Sequence, residues 1–250
     1  MQSHTYPIMY EVEGAHWWFA GRRRILESFL EEIVTHLNVP EGREPRILDV
    51  GCGTGANLEM LRKFGAAEGV DVSEEALQFC RARGLDEVKL GAAEALPYGD
   101  GAFDLVTALD VVEHLDDDAA GLGEMRRVLR PGGRALLFVP AFMWLWGVQD
   151  DVSQHRRRYT LPQLRRTVEK AGFEIERATY ANVTFFAPIL LGRVLMRLTG
   201  ARPESENNLN VPALHGVLGR VLGAERFWLR RASFPFGVSA VCVARRAEVR

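Results

Sequence analysis

The chain has 250 residues, enough for one domain or two and for a sizeable core. Hydrophobic residues make up 47% and charged residues 26%, which excludes a disordered tail, a collagen-like repeat and a disulfide scaffold. The net charge of −2 hides a split, since residues 1–150 carry 14 Lys and Arg against 25 Asp and Glu, whereas residues 151–250 carry 17 against 8.

In chain order, residues 22–37 place Ile25, Leu26, Phe29, Leu30, Ile33 and Leu37 on one helical face. The segment NVPEGREP breaks that pattern at Pro40 and Pro45. From residue 46 the rhythm changes. RILDV reads as a buried strand, GCGTGAN as a turn and LEMLRKFG as a helix ending at Gly65. AEGVDV is a second strand, followed by a helix with Ser73 as its N-cap and Gly84 as its stop. VKLGAA and FDLVTALDV are the third and fourth strands, AAGLGEMRRVLR a helix closed by PGG, and RALLFVPA the fifth strand. LPQLRRTVEKAG is a helix before a sixth strand, FEIERATYA. Such alternation predicts a doubly wound, mostly parallel α/β sheet, because parallel neighbours need a crossover.

Residues 181–236 interrupt the order with two apolar, amphipathic stretches, VTFFAPILLGRVLMRLTG and LHGVLGRVLGAERFWLR, around a polar loop, ARPESENNLN. Arg193 and Arg197 break the first, so it is too short in apolar residues to span a membrane. Two helices are expected, lining an acceptor pocket, forming a dimer contact or lying on a membrane, in that order. GVSAVCVARR reads as a last strand at the sheet edge. The chain therefore divides into a helical cap over 1–45 and an α/β domain over 46–250 that carries the insertion.

Cys52, Cys80 and Cys242 lie far apart, so neither a zinc site nor a disulfide framework is expected. The start MQSHTYPIMYE has no basic stretch followed by an apolar run, so no secretory leader is expected and a reducing cytoplasmic compartment fits. Two differently solvated faces explain the charge split; so does a basic half that meets an anionic substrate or membrane surface. The basic residues are not interleaved with aromatic platforms, which argues against nucleic acid.

The strongest signal for function is RILDVGCGTGAN. A glycine-rich turn between strand and helix brings backbone close to a ligand and aims helix N–H groups at it. Gly51, Gly53 and Ala56 satisfy dinucleotide spacing, with Asp71 about 20 residues on, where a ribose carboxylate belongs. Asp49, two residues before the first glycine, separates the ligands: it repels a pyrophosphate and attracts the ammonium of an amino acid.

From LDVGCGTG through GVDVSEEAL, AEALPYGDGAFDLVTALDVVEHL and MRRVLRPGG to RYT and AGFEI, the chain resembles the class I S-adenosylmethionine-dependent methyltransferases. The resemblance implies a Rossmann-like seven-stranded sheet with an antiparallel last strand. It implies that Asp49, Gly51, Gly53 and Gly55 cradle the methionine part of the cofactor, that Asp71 holds the ribose hydroxyls and that Val72 packs on the adenine. Ala93 and Glu94 then approach the adenine edge, and Asp110 faces the methionine end. One departure is Ala92, where relatives commonly carry Asp. The opening, Tyr10 followed by EVEGAHWWFAGRRRIL, is similar to a bacterial subgroup with a His-Trp-Trp-Phe segment. Two adjacent Trp residues are not expected to face one core direction; Trp18 or Phe19 is expected to shield the sulfonium and Arg22 to reach the cofactor carboxylate.

Methyl transfer needs a base only where the acceptor must lose a proton. His114, past the fourth strand, and His155, past the fifth, are the candidates. Tyr10, Arg156 and Tyr159 are expected at the acceptor, with Arg156, Arg157 and Arg158 suited to grip an anion. No metal is expected, although Glu113, Asp116 and Asp117 beside His114 permit one, as the similar Glu-His element of quinone O-methyltransferases implies. The expected activity is methyl transfer to an oxygen of a small-molecule, glycan or lipid-linked acceptor. The alternatives are a quinone- or lipid-directed methyltransferase and a cofactor-binding protein without catalysis.

Overall fold

A computed structural model describes residues 5–200 and 212–247. The polar loop expected at 201–210 lies outside the described residues. Seven strands form one sheet in the order β3-β2-β1-β4-β5-β7-β6. They are β1 (Arg46–Val50), β2 (Ala66–Asp71), β3 (Val88–Leu90), β4 (Phe103–Leu109), β5 (Leu129–Pro140), β6 (Phe173–Ala181) and β7 (Ser239–Arg246). The first five run parallel; β7 is antiparallel to both β5 and β6. β7 is therefore an interior strand, not the edge strand expected from sequence. Its first six residues, SAVCVA, are all buried, as a strand paired on both sides requires.

Helices cover both faces. On one side lie α2 (Trp17–Thr35), α3 (Ala56–Leu61) and α4 (Glu74–Ala82), whose Ile25, Leu26, Leu58 and Leu77 are buried with Ile47, Leu105 and Leu136 of the sheet. On the other, α5 (Asp118–Val128) and α7 (Leu161–Lys170) bring Leu122, Met125, Leu164 and Val168 against Leu48, Val106 and Leu137. The caps are local chemistry. Ser73 accepts from the Ala76 amide at the start of α4, and Asp117 from the Ala120 amide at the start of α5.

Other elements also differ from the sequence expectation: α3 stops at Leu61 and not at Gly65, and β5 begins at Leu129, so the PGG expected to close a helix lies inside the strand. α2 begins at Trp17, five residues early, because the His16 ring caps the Trp18 amide. The insertion forms α8 (Phe186–Thr199), α9 (His215–Gly223) and α10 (Glu225–Leu229), its second stretch being split at Ala224. α9 seats on α2 through small residues: a Cβ on Gly21 would stand 2.7 Å from Leu222, and one on Gly219 would stand 3.2 Å from the Trp17 carbonyl. The cap's first helix, α1 (Thr5–Val12), lies against α4, with Tyr10 and Phe79 rings 4.9 Å apart.

Candidate active site

The parallel strands end together where β1 has β2 on one side and β4 on the other, the switch point at which such sheets bind ligands. The loop after β1 turns at Gly51, Gly53 and Gly55, all with positive φ. Gly51 admits no side chain, since a Cβ would stand 2.5 Å from Val111. Gly53 has nothing within 4 Å of where its Cβ would be, so open space lies on that side of the backbone. Gly55 caps α3.

Asp71, at the end of β2, accepts from the Gly53 amide (2.9 Å) and the Ser73 amide (3.0 Å). Burial raises its pKa, while those two amides pull it down. The carboxylate keeps lone pairs for a diol. Asp49 stands one layer deeper: it is buried, accepts from Thr107 Oγ1 at 2.7 Å, and leaves its Oδ2 without a partner among the described residues. Burial pushes it up to about 7. Val72 is exposed, Ala93 buried and Glu94 half-buried; none of the three lines the central cavity.

That cavity, about 480 Å³, opens from the glycine loop. Gly51, Gly53, Asp110, His114 and His155 line it together with Trp17, Trp18, Phe19 and Arg22 of α2. The two tryptophans thus face the same space, against expectation. They stand edge to face, with centroids 5.7 Å apart at 86°, and Phe185 meets the first at 4.7 Å. A cavity wall at the first turn of a helix admits what a flat core face would not. Arg22 ion-pairs with Asp110 and lies 4.5 Å over the Phe138 ring; its Nε is buried without a partner among the described residues. Asp110 itself holds a positive φ of 59°.

Glu13 and Asp150, which sequence spacing does not single out, also line the cavity. Glu13 is buried in the cap, accepts from Thr54 Oγ1, and pairs with Arg83 at 2.7 Å, so it fastens the cap to the glycine loop. Asp150, in the short helix α6 (Val148–Ser153), is fully buried. It accepts from Arg158 at 2.7 and 2.9 Å, from His155 Nδ1 at 2.8 Å and from the Gly147 amide at 2.7 Å. Burial opposes its charge, but the bonds from His155 and Arg158 outweigh it and hold the carboxyl well below the usual range. The signal was present as DDVSQHRRR, an acid, an imidazole and a guanidinium within nine residues.

The bond from Nδ1 to Asp150 leaves His155 Nε2 on the other side of the ring, 3.9 Å from Glu113 Oε1. His114 meets His155 edge to face at 4.7 Å, and burial, helped by His155, pushes it down to about 4. Glu113 is fully buried with neither carboxylate oxygen partnered among the described residues. Burial, together with the charge of Asp110, pushes its pKa well up. Glu113, His114 and His155 place ligand atoms within 4.8 Å of one another, so they form a group able to hold a cation.

Three expected acceptor contacts stand elsewhere. Tyr10 packs on Phe79 beneath Arg83, Arg156 bonds the His114 carbonyl and Asp116, and Tyr159 donates to Asp118 at 2.8 Å. The arginines expected to grip an anion are paired as well: Arg156 with Asp116, Arg157 with Asp118 and Arg158 with Asp150.

Residues 48–137 match the methyltransferase-domain family. The chain carries a class I S-adenosylmethionine-dependent methyltransferase domain. It is 39% identical over 136 residues to methyltransferase GfsG of Streptomyces halstedii, which takes in 51% of this chain and 47% of that protein. Ajmaline N-methyltransferase of Rauvolfia serpentina is 27% identical over 237 residues, 88% of this chain and 79% of that one. Against the first of these relatives, the chain spans about half its length. An S-adenosylmethionine-dependent methyltransferase structure from Mesorhizobium loti superposes with a TM-score of 0.52 at 18% identity, covering 83% of this chain and 94% of the other, and shares the fold. The residues present fit the cofactor. Gly53 leaves room for it, Asp71 keeps acceptors that a ribose diol would use, and Arg22 Nε and Asp49 Oδ2, buried without a partner among the described residues, would suit the charged groups of a methionine.

Proposed function

We propose that the chain transfers the methyl group of S-adenosylmethionine to an oxygen of a small-molecule, glycan or lipid-linked acceptor, with His155 and His114 at the reacting end of the cavity. S-adenosylmethionine supplies an electrophilic methyl on a sulfonium. The protein's share is alignment, exclusion of water and management of the acceptor's proton. Gly51, Gly53 and Gly55 pass the cofactor's methionine part, Asp71 holds the ribose, and Val72, Ala93 and Glu94 border the adenine. Trp18 and Phe19 cover the reactive end, where Asp110 and Arg22 meet.

The observation that carries the oxygen reading is the Asp150–His155 pair. A buried carboxylate, itself clamped by Arg158, fixes the imidazole as the Nδ1–H tautomer and supports the positive charge that a proton on Nε2 would create. Nitrogen acceptors that arrive neutral and unprotonated have no need of it. Calorimetry with S-adenosylhomocysteine and NADH tests the cofactor assignment, which requires binding of the first and none of the second. Turnover across a panel of hydroxyl, amine and quinol acceptors then tests the oxygen reading; activity on amines alone overturns it, and binding without turnover on any acceptor supports a cofactor-binding protein.

One observation favours a second reading of the same cavity. Among the described residues Glu113 has no partner for either oxygen, and His155 beside it has its other ring nitrogen engaged by Asp150. Ligating histidines are oriented in this way. A divalent cation there would lower the pKa of a bound acceptor hydroxyl and make a protein base unnecessary. Chelator treatment separates the readings: activity that survives supports the histidine base, and activity lost and restored by magnesium supports the cation.

A further inference from the structure

α8 is apolar on two opposite sides. Its inner side gives Pro188, Ile189, Gly192 and Met196 to the cavity wall. Its outer side carries Leu191, Val194, Leu195 and Leu198, spaced three and four apart and therefore in one stripe, with Leu198 still 78% exposed. α9 repeats the arrangement. Its Gly219, Leu222 and Gly223 are buried, against α2, while Leu214, Val217 and Val221 look outward. A helix that is apolar all round is ordinarily buried on all sides. These two are not, and no helix of the described residues is long and apolar enough to cross a membrane.

Aromatic residues gather at the start of α8. Phe186 meets Trp144 at 5.9 Å and Phe236 at 5.0 Å; Trp144, Phe236 and neighbouring Met143 are exposed. Arg197, one turn from the end of α8, donates to the Trp144 and Trp146 carbonyls, bonds that place the guanidinium beside the ring without cancelling its charge. Of the six Arg in residues 182–200 and 212–236, Arg193 is buried and Arg230 pairs with Glu31; the one acid there, Glu225, is buried and accepts from the Thr184 amide at the root of α8. Arg197, Arg220 and Arg231 are exposed.

We propose that the outer faces of α8 and α9, with the Trp144–Phe236 rim, seat on an anionic lipid membrane, the leucines entering the acyl boundary and the arginines meeting headgroups. Charge decides between the two large surfaces that could cover this face. A twofold dimer sets a patch against its own copy, so cations would meet cations across low-dielectric contact. An anionic bilayer accepts the apolar stripe and the positive charge together, as interfacial helices do. Trp and Phe at the rim are the side chains such boundaries favour. Because α8 is also a wall of the cavity, a lipid-borne acceptor could leave its tail in the bilayer and present its head inside.

The test is flotation of the full chain with phosphatidylglycerol vesicles and with phosphatidylcholine vesicles, alongside light scattering for mass. The expected result is cofloatation with phosphatidylglycerol that weakens roughly tenfold from low to physiological salt, and little with phosphatidylcholine. Leu191→Glu with Leu195→Glu should lower the vesicle affinity about a hundredfold, and Arg220→Glu with Arg231→Glu should remove the lipid preference. All four positions are exposed, so folding is retained, checked by circular dichroism and by S-adenosylhomocysteine affinity. The inference is overturned if neither vesicle carries the protein, if both pairs of variants float like the parent, or if the parent is a dimer that the leucine variant makes monomeric. Flotation uses no methyl acceptor. A chain that floats yet fails to bind S-adenosylhomocysteine would end the proposed function and leave the membrane surface standing.

Discussion

The cofactor end of the cavity and the insertion that walls it are built on different physics. Around the glycine loop, positions are fixed by backbone: Gly51 and Cys52 amides bond the Val70 carbonyl at 2.7 and 3.1 Å, and Asp71 returns to the Gly53 amide. A change of one atom there is felt at once, because Gly51 lacks space even for a methyl. In α8 the outer side chains of Leu191, Leu195 and Leu198 are half or more exposed among the described residues, so packing within those residues does not fix them. The first region is held by its own backbone; the outer face of the second is not covered by the described residues.

The largest effect is expected where the two regions meet. His155→Ala should lower turnover by about 10²–10⁴ while S-adenosylhomocysteine affinity stays within twofold, roughly the range of a lost general base. Stopped-flow or endpoint turnover with calorimetry on one preparation measures both. Loss of cofactor affinity together with turnover would mean the histidine belongs to the cofactor end, and the division drawn above would fail there.

Next comes Asp71→Ala. A charge-assisted hydrogen bond to a ribose hydroxyl is worth roughly 1.5–3 kcal/mol net and a pair sharing one carboxylate adds less than twice that, so affinity should fall about tenfold to a thousandfold. Removing the carboxylate also frees the Gly53 and Ser73 amides, so circular dichroism must accompany the titration. An unchanged dissociation constant in a folded variant removes the ribose assignment.

Asp49 yields a smaller effect with a definite sign. Its pKa is raised by burial to about 7 in the folded chain, above its value in an unfolded one. Between the two values the folded state binds the extra proton, so this group makes stability fall as pH rises from about 4 to about 7. Asp49→Asn should remove that slope, worth a few kcal/mol at most. Urea midpoints of parent and variant without cofactor, measured from pH 4 to pH 8, give the difference directly; parallel curves would show that the carboxylate ionises freely.

How much of this was legible in the sequence follows the same division. Strand and helix order, the Ser73 cap and the glycine turn were readable because local propensity, spacing and backbone demand agree at each position. The interior place of β7 was not, since pairing on both edges is a long-range choice; only its run of buried residues, SAVCVA, hinted at it. His114 and His155 were readable as histidines after the right strands. That one is held by Asp150 and that both stand beside Glu113 is a matter of tertiary packing, because α6 and the single turn at Val112–His114 come from distant parts of the chain. Tyr10, Arg156 and Tyr159 were sound residue types for an acceptor site, but acids that happened to lie nearer took two of them, and Phe79 and Arg83 the third.

The smallest expected effect tests the contrast most directly. Leu198 ends the outer stripe of α8 at 78% exposure, and Leu48 sits in β1 at 0%. Leu48→Ala deletes buried methyl groups and leaves a cavity between sheet and helices, a change that costs about 2–5 kcal/mol. Leu198→Gln removes no buried surface, keeps a residue with good helix propensity and should stay within about 0.5 kcal/mol of the parent in urea unfolding. The same substitution should still weaken binding to phosphatidylglycerol vesicles, since there the leucine has a surface to enter. A stability loss comparable with that of Leu48→Ala would show that α8's outer face is already covered by part of this chain, and the reason for assigning it a membrane would be gone.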